Sequence, residues 1–136
     1  MSQPDVVPID PELFRLEDGV PVLLGSRCPK CGESFFPRRW ECPVDQTPTQ
    51  DVDLSQEGTL YVSTYVHFPA YGRALTSAKG YGVGQVDLPE GVRVQTMLVG
   101  DPDRWQPGGR VGVVAEVIDQ DKDGRERAIF RFGPVD

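Results

Sequence analysis

The chain has 136 residues, 38% of them hydrophobic, with 13 prolines and 15 glycines, which suits one ordinary domain or two compact units and excludes a protein built on long helices. The net charge of −7 argues against nucleic acid as the main partner, because phosphate is bound by clustered Lys and Arg. No apolar run approaches the ~20 residues of a membrane span, and the N-terminus lacks the features of a signal peptide, so we expect a cytoplasmic protein with no membrane partner.

Residues 1–20 are predicted to form a tail and a short helix. The first ten residues contain proline and aspartate and little to bury. Pro11 stands at a favourable helix start, and Gly19 stands where the helix would end. The apolar residues between them, Leu13, Phe14 and Leu16, would form one patch. Because so short a helix is unstable alone, we expect it to pack on its own domain or on a partner subunit.

Residues 21–52, which begin with a predicted strand, contain the motif CPKC at 28–31 and the similar motif CPVD at 42–45. The two-residue gap between Cys28 and Cys31 lets both thiolates face one ion. Cys42 begins the second half, and Asp45 stands at the fourth ligand position. Zinc accepts a carboxylate oxygen at ~2.0–2.2 Å. Thiols clustered in a chain with no export signal indicate a metal site rather than disulfides, so we predict a structural zinc ribbon.

Two other interpretations of this segment remain open. In one, Asp45 only caps its own turn, and a three-thiolate site is closed by water or Glu41. In the other, the segment holds no metal and depends on hairpin packing by Phe35, Phe36 and Trp40.

Residues 53–136 are predicted to form a small closed or half-closed barrel. In the first predicted strand the side chains alternate between two faces, with Leu60, Val62, Thr64 and Val66 on the face expected to be buried. Five strands are predicted, at 58–68, 81–88, 92–100, 110–118 and 125–132, and short turns separate most of them. The longest break, 69–80, is polar and contains several glycines, and long loops on barrels often carry function.

The sequence lacks the residues of an independent enzyme. All three cysteines belong to the ribbon, and the one histidine, His67, has no cysteine near it in sequence. No Ser-His-Asp order or HExxH pattern is present. A catalytic zinc is disfavoured, because such sites usually include histidine and a thiolate-rich ion is a poor Lewis acid. We therefore expect no catalytic residues.

An ordered set of segments carries a family resemblance: PELFRLEDG, VLLGSRCPKCGESFFPRRWECPVD, EGTLYVSTYVHF, GYGVGQVDLPEGVRVQTMLVG, DPDRWQPGGRVGVVAEV and FRFGP. Together they resemble the small acyl-CoA-associated proteins in which a rubredoxin-like zinc ribbon precedes an OB fold. That family commonly has a fourth cysteine and a glycine where this chain has Asp45 and Gln46. The resemblance implies a mainly β fold: a short N-terminal helix, the ribbon, and a five-stranded OB-fold barrel.

The resemblance also implies a role and partners. Members of that family are accessory subunits of thiolase-fold enzymes, in which the OB domain helps to hold a CoA ester during thiolytic, condensing or retro-aldol chemistry. Residues that could touch CoA lie in and beside the 69–80 loop: His67, Phe68, Tyr71, Arg73, Lys79 and Tyr81. Arg38 and Arg39 are a second candidate phosphate clamp or partner contact. For any one of these, an ordinary solvated side chain is the competing interpretation.

Two functions from other classes compete with this role. An OB fold can bind single-stranded nucleic acid on a basic groove lined by aromatic residues, although the acidic balance disfavours it. A stand-alone zinc hydrolase would require ester turnover by the isolated chain.

Overall fold

The computed structural model describes residues 6–66 and 81–135, and its regular structure is almost entirely β. The strands are β1 Val6–Pro8, β2 Phe14–Glu17, β3 Val20–Arg27, β4 Ser34–Phe35, β5 Gln50–Asp53, β6 Glu57–Val66, β7 Tyr81–Asp87, β8 Arg93–Leu98, β9 Arg110–Gln120 and β10 Glu126–Pro134. One 3-10 turn, Pro102–Arg104, lies between β8 and β9. Among the described residues, no helix is long and apolar enough to cross a membrane.

Strands β6 to β10 close into the predicted five-stranded barrel. The order is β10-β8-β7-β6-β9, and β9 pairs with β10 to complete the circle. Most neighbours are antiparallel over many residues, but β8 and β10 are parallel and share the single register pair Leu98 and Phe132. The barrel therefore has one short seam between β8 and β10.

Strand β7 has the alternating burial that its sequence predicts. Gly82, Gly84 and Val86 face the interior and are buried, while the residues between them are half-buried. Gly82 lies against Trp105, so closely that a Cβ atom there would stand 2.2 Å from the indole Cη2 atom. Trp105 is 8% exposed, and its Nε1 donates to the carbonyl oxygen of Val99 over 3.0 Å.

The predicted alternation in β6 is wrong beyond its first half. The register with β7 shifts between Leu60 and Val62, which places a β-bulge at Tyr61. Leu60 is buried as predicted, but Val62 is 45% exposed. Tyr65 instead stacks on Trp105 at a centroid distance of 6.3 Å. One extra residue reverses which side chains face inward, and nothing in the local pattern marks it.

The predicted helix at 11–18 is also wrong, because this segment forms a turn followed by β2. Strand β2 pairs with β3 in an antiparallel hairpin whose two-residue loop is Asp18-Gly19, with φ of 52° and 80°. An Asp-Gly pair between apolar runs favours this type of tight hairpin, and it is the signal that outweighed Pro11. Phe14 is fully buried in the chain's own core, so the apolar patch packs on its own domain.

The first ten residues are not simply a tail, because Val6–Pro8 forms strand β1. It runs parallel to β10, with Val6 opposite Glu126, and the Ile9 amide donates to the Ala128 carbonyl oxygen over 2.8 Å. The pairing satisfies backbone groups at the edge of β10, which the N-terminal sequence alone does not reveal.

Strand β3 organises the ribbon and connects it to the barrel. It pairs with β2 on one side and with β4 and β5 on the other. The Phe14 ring packs edge to face on the ring of Phe130, a barrel residue, with a centroid distance of 5.6 Å. The Phe36 ring packs on the same Phe130 ring with a centroid distance of 6.0 Å. Leu23 and Leu54 belong to the same core cluster as the barrel residues. The ribbon is therefore attached to the barrel by a shared apolar core.

Candidate functional site

The first half of the thiol cluster is a tight turn closed by backbone hydrogen bonds. The Gly32 amide donates to the Cys28 carbonyl oxygen over 2.8 Å, and the Cys28 amide donates to that of Glu33 over 2.9 Å. The Cys31 amide points at the Cys28 sulfur, 3.4 Å away. Gly32 has φ of 82°, a conformation that glycine adopts without strain.

The second half repeats this geometry although its sequence differs. The Gln46 amide donates to the Cys42 carbonyl oxygen over 2.8 Å, and the Cys42 amide donates to that of Thr47 over 2.9 Å. Gln46 takes the place of Gly32 and keeps a positive φ of 62°. Asp45 takes the place of the second cysteine. The departures from the family pattern therefore leave the backbone of the turn intact.

The ligand atoms of Cys28, Cys31, Cys42 and Asp45 all lie within 4.8 Å of one another. The Sγ atoms of Cys31 and Cys42 are 3.6 Å apart, and both oxygens of Asp45 are 3.6 Å from the Sγ of Cys28. A tetrahedral zinc with Zn–S bonds of ~2.3 Å separates its sulfurs by ~3.8 Å. The donor set and its spacing fit zinc. Glu41 is exposed and outside this group.

Asp45 also caps its turn, so the two roles considered for it are compatible. Its Oδ1 accepts a hydrogen bond from the Thr47 amide over 3.0 Å. This bond is the main reason that the pKa of Asp45 lies below its usual value. The carboxylate is thus held in its anionic form beside the thiols.

The two thiols of the first turn differ in acidity. Burial raises the pKa of Cys28, but hydrogen bonds from the Cys31 and Lys30 amides outweigh it, and the net shift is downward. A hydrogen bond from the Glu33 backbone lowers the pKa of Cys31, but burial and the neighbouring thiols outweigh it and raise the pKa to about 11. The cluster thus favours a thiolate at Cys28, as a metal ligand requires.

The aromatic residues proposed to pack the ribbon hairpin separate into two groups. Phe35 and Phe36 are half-buried, and Phe36 contacts the barrel. Trp40 does not pack on the hairpin, because 93% of it is exposed. The sequence does not reveal this, since an aromatic residue among others usually indicates packing.

The proposed CoA-contacting residues are described only in part. Five of them, His67, Phe68, Tyr71, Arg73 and Lys79, lie outside the described residues. Tyr81 is half-buried at the start of β7. Arg38 and Arg39 line a cavity of about 460 Å³ together with Trp40, and Tyr81 is not part of it.

The two arginines of this cavity have different surroundings. Arg38 is held by Glu12 at 2.9 Å and by Asp51 at 3.2 Å. The guanidinium carbon of Arg39 lies 5.7 Å from the centre of the Phe35 ring. A role for either arginine toward CoA stays a prediction.

A buried charge lies in strand β10, at a position that the sequence pattern does not mark. Arg131 of β10 is 4% exposed, pairs with Glu116 of β9, and donates to the sulfur of Met97 over 3.0 Å. It lines a cavity of about 310 Å³ at the seam between β8 and β10. Its position in RERAIFRF suggests the solvent face of a strand, so no sequence signal pointed to its burial.

The fold and the thiol cluster define a protein class: a zinc-ribbon domain joined to an OB-fold barrel. Residues 19–46 match the family model described as "ChsH2, rubredoxin-like zinc ribbon domain", and residues 51–116 match "ChsH2, C-terminal OB-fold domain". The chain belongs to the ChsH2 family of zinc-ribbon and OB-fold proteins, which confirms the resemblance found in its sequence.

Similar proteins match most of the length of the chain. The benzoylsuccinyl-CoA thiolase subunit BbsA of Thauera aromatica is 31% identical over 98% of this chain and 92% of its own length. A DUF35 domain-containing scaffold protein of Methanothermobacter thermautotrophicus is 31% identical over 82% of this chain and 86% of its own. Among solved structures, the Ltp2-ChsH2(DUF35) aldolase matches with a TM-score of 0.65 and 27% identity, covering 83% of this chain and 84% of the matched one.

Proposed function

We propose that this chain is a non-catalytic subunit of a thiolase-fold enzyme complex that acts on a CoA ester. The observation that carries the proposal is the similarity to the thiolase subunit BbsA over 98% of the chain. The aldolase complex that contains a structurally similar ChsH2 chain supports the same class of partner. A partner of this class would supply the carbon–carbon chemistry, whether thiolytic, condensing or retro-aldol.

The residues of the chain agree with a supporting role. Thiolase chemistry requires a cysteine nucleophile activated by a base. The sequence has three cysteines, and the ligand atoms of all three lie in the metal cluster. Its one histidine is His67. The chemical step therefore belongs to the partner.

Zinc in this cluster would be structural. Cys28 and Cys42 are fully buried, and four protein ligands leave no open position for a substrate. A bound ion would supply folding free energy to the two turns. The ribbon would thereby hold residues 38–40 in a fixed position beside the barrel.

We also propose that this chain contacts the CoA ester directly. Tyr81 is the described candidate with a ring to offer, and the five residues of the 67–80 segment complete the set. Arg39 could meet either a phosphate of the ester or the partner subunit. Arg38 is less suited to phosphate, because Glu12 and Asp51 already hold its guanidinium group.

Binding of single-stranded nucleic acid is disfavoured by the arrangement of charge. Most barrel arginines of the described residues are neutralised by carboxylates: Arg93 by Asp87, Arg110 by Glu57, Arg125 by Asp121 and Arg127 by Asp119. A phosphate backbone requires cations that are free to meet it.

Native mass spectrometry of the tagged chain, purified from its own cells, tests the proposal. We expect a co-purifying thiolase-fold protein and the mass of one zinc per small chain. Cys28→Ser should lower the yield of the complex more than the turnover of whatever complex remains. A lone chain, or a chain that binds single-stranded nucleic acid at low salt, would contradict the proposal.

A further inference from the structure

The two tryptophans of the chain lie in opposite environments. Trp105 is 8% exposed and packs against Gly82 and Tyr65 of the barrel, whereas Trp40, on the ribbon, is 93% exposed. Val44, on the same hairpin, is 77% exposed. Tryptophan is the largest apolar side chain, and leaving it in water is unfavourable unless something covers it.

The backbone beneath Trp40 is held in place. The Trp40 carbonyl oxygen accepts a hydrogen bond from the Thr49 amide over 3.0 Å. One residue earlier, the Arg39 amide donates over 2.9 Å to the hydroxyl of Ser26, which is fully buried. The exposed indole therefore stands on an ordered support, and a partner would find it already positioned.

The charge beside Trp40 is not neutralised. Arg38 has two carboxylate partners, Glu12 and Asp51. Within residues 6–66 and 81–135, no carboxylate lies within ion-pairing distance of Arg39. The chain has a net charge of −7, so an arginine without a carboxylate partner next to an exposed tryptophan departs from the acidic character of the chain as a whole. Tryptophan and arginine are the residues most enriched among interface hot spots.

We propose that Trp40 and Arg39 form the anchor by which this chain docks on its catalytic partner. Trp40 enters an apolar recess of the thiolase-fold subunit, and Arg39 meets a carboxylate at the rim of that recess. The inference rests on the proposed function and specifies the surface and the chemistry of the partner.

A protein fits this surface better than CoA does. The cavity beside Trp40 is also lined by Glu12 and Asp51, whose side chains are 81% and 78% exposed. Glu12 and Asp51 already hold Arg38, so Arg39 is the one cation of this cavity without a carboxylate partner among the described residues. A single free cation offers little to the several phosphate charges of CoA, whereas the exposed Trp40 ring offers the apolar contact that a protein recess can fill.

Fluorine NMR separates the two tryptophans within one experiment. The sequence has two tryptophans, so 5-fluorotryptophan labelling gives two signals, and Trp40→Phe assigns them. The probe is the thiolase-fold subunit that co-purifies with the tagged wild-type chain. On its addition we expect the Trp40 signal to shift and the Trp105 signal to stay, which provides an internal control.

Affinity measurements with matched variants complete the test. Trp40→Ala should weaken binding of the same subunit by about 30-fold or more. Arg39→Glu should weaken it by about tenfold, with the larger loss at low salt. Lys122→Glu makes the same charge change on the exposed β9–β10 loop and should leave the affinity unchanged. All three positions are exposed, so thermal melts should match the wild type.

The outcomes distinguish this inference from the proposed function. If the subunit binds, yet the Trp40 signal is unmoved and Trp40→Ala binds like the wild type, the anchor is wrong and the proposed function stands. If no thiolase-fold protein co-purifies, the proposed function fails and the anchor fails with it. A Trp40 shift produced by CoA alone, or by raising the concentration of the chain alone, would identify a ligand site or self-association and overturn the docking role.

Discussion

Both carboxylate oxygens of Asp45 lie 3.6 Å from the sulfur of Cys28, and one of them also accepts a hydrogen bond from the Thr47 amide. The same side chain thus stabilises its turn and completes the group of four donor atoms. A cysteine at this position would supply a softer ligand but could not accept the Thr47 hydrogen bond as strongly.

Asp45→Asn separates the two roles of this residue. The amide oxygen of Asn can still accept from Thr47, but the anionic ligand is lost. We expect the unfolding free energy of the metal-free chain to change by less than about 0.5 kcal/mol. Zinc affinity, measured by competition with a chelating dye, should fall by about tenfold or more. Unchanged affinity would show that three thiolates hold the ion and that Asp45 is only a cap.

Gln46→Gly should stabilise the second turn. Gln46 adopts φ of 62°, which costs a residue with a Cβ atom about 1–2 kcal/mol, and glycine relieves that strain at a smaller entropic cost. Urea unfolding should show a gain of about 0.5–1 kcal/mol. Gln50→Gly makes the same change in strand β5 and should instead destabilise the chain by roughly that amount. A loss at both positions would indicate that the Gln46 side chain makes a contact that outweighs its strain.

Gly82→Ala should disrupt the barrel interior. A Cβ atom would meet the Trp105 ring at 2.2 Å, and the indole is fixed by its bond to Val99. We expect a loss of about 1–3 kcal/mol in unfolding free energy. In a double-mutant cycle with Trp105→Leu, the loss from the added methyl should shrink, because the smaller side chain leaves room. If the losses in unfolding free energy from Gly82→Ala and Trp105→Leu were additive, the strain would not arise from the contact between these two residues.

Removing the Glu116 carboxylate should lower the free energy of unfolding more than removing the charge of its partner Arg131. Arg131 is 4% exposed, so Glu116→Ala leaves a buried charge whose remaining side-chain hydrogen bond, among the described residues, is to the sulfur of Met97. We expect Glu116→Ala to cost about 1–3 kcal/mol, a range lowered because half of Glu116 is in water. Arg131→Met removes the charge and should be neutral to within about 1 kcal/mol. The reverse order in thermal or urea unfolding would contradict this account.

The loss of folding stability at acid pH should depend in part on Asp53 of strand β5. The Arg15 guanidinium donates to both Asp53 oxygens over 2.7 Å and holds the pKa of that carboxyl below its usual 3.8. A lowered pKa contributes stability that is full above the usual value and is lost as pH falls through the folded value. Asp53→Asn should therefore narrow the difference in unfolding free energy between about pH 7 and about pH 3. An unchanged difference would mean that the exposed ion pair contributes nothing measurable.

Local chemistry determined the parts of this protein that the sequence predicted. The CPKC and CPVD spacing creates two turns by short-range hydrogen bonds, so Cys28, Cys31, Cys42 and Asp45 were identifiable as one group. The period-two pattern of β7 and its neighbours follows from the pleat of a strand with one face in a core. Even the missed hairpin of β2 and β3 had a local signal in Asp18-Gly19.

The tertiary structure decided the features that depend on contacts between distant parts of the chain, because no short stretch of sequence contains both partners of such a contact. The pairing of β1 with β10, the bulge at Tyr61 and the burial of Arg131 each depend on a strand distant in sequence. The exposure of Trp40 is the clearest case, because the same aromatic residue would be packed if any element of the chain covered it. Burial and free surface are properties of the whole arrangement, since a side chain is removed from water only by neighbours that the fold brings to it.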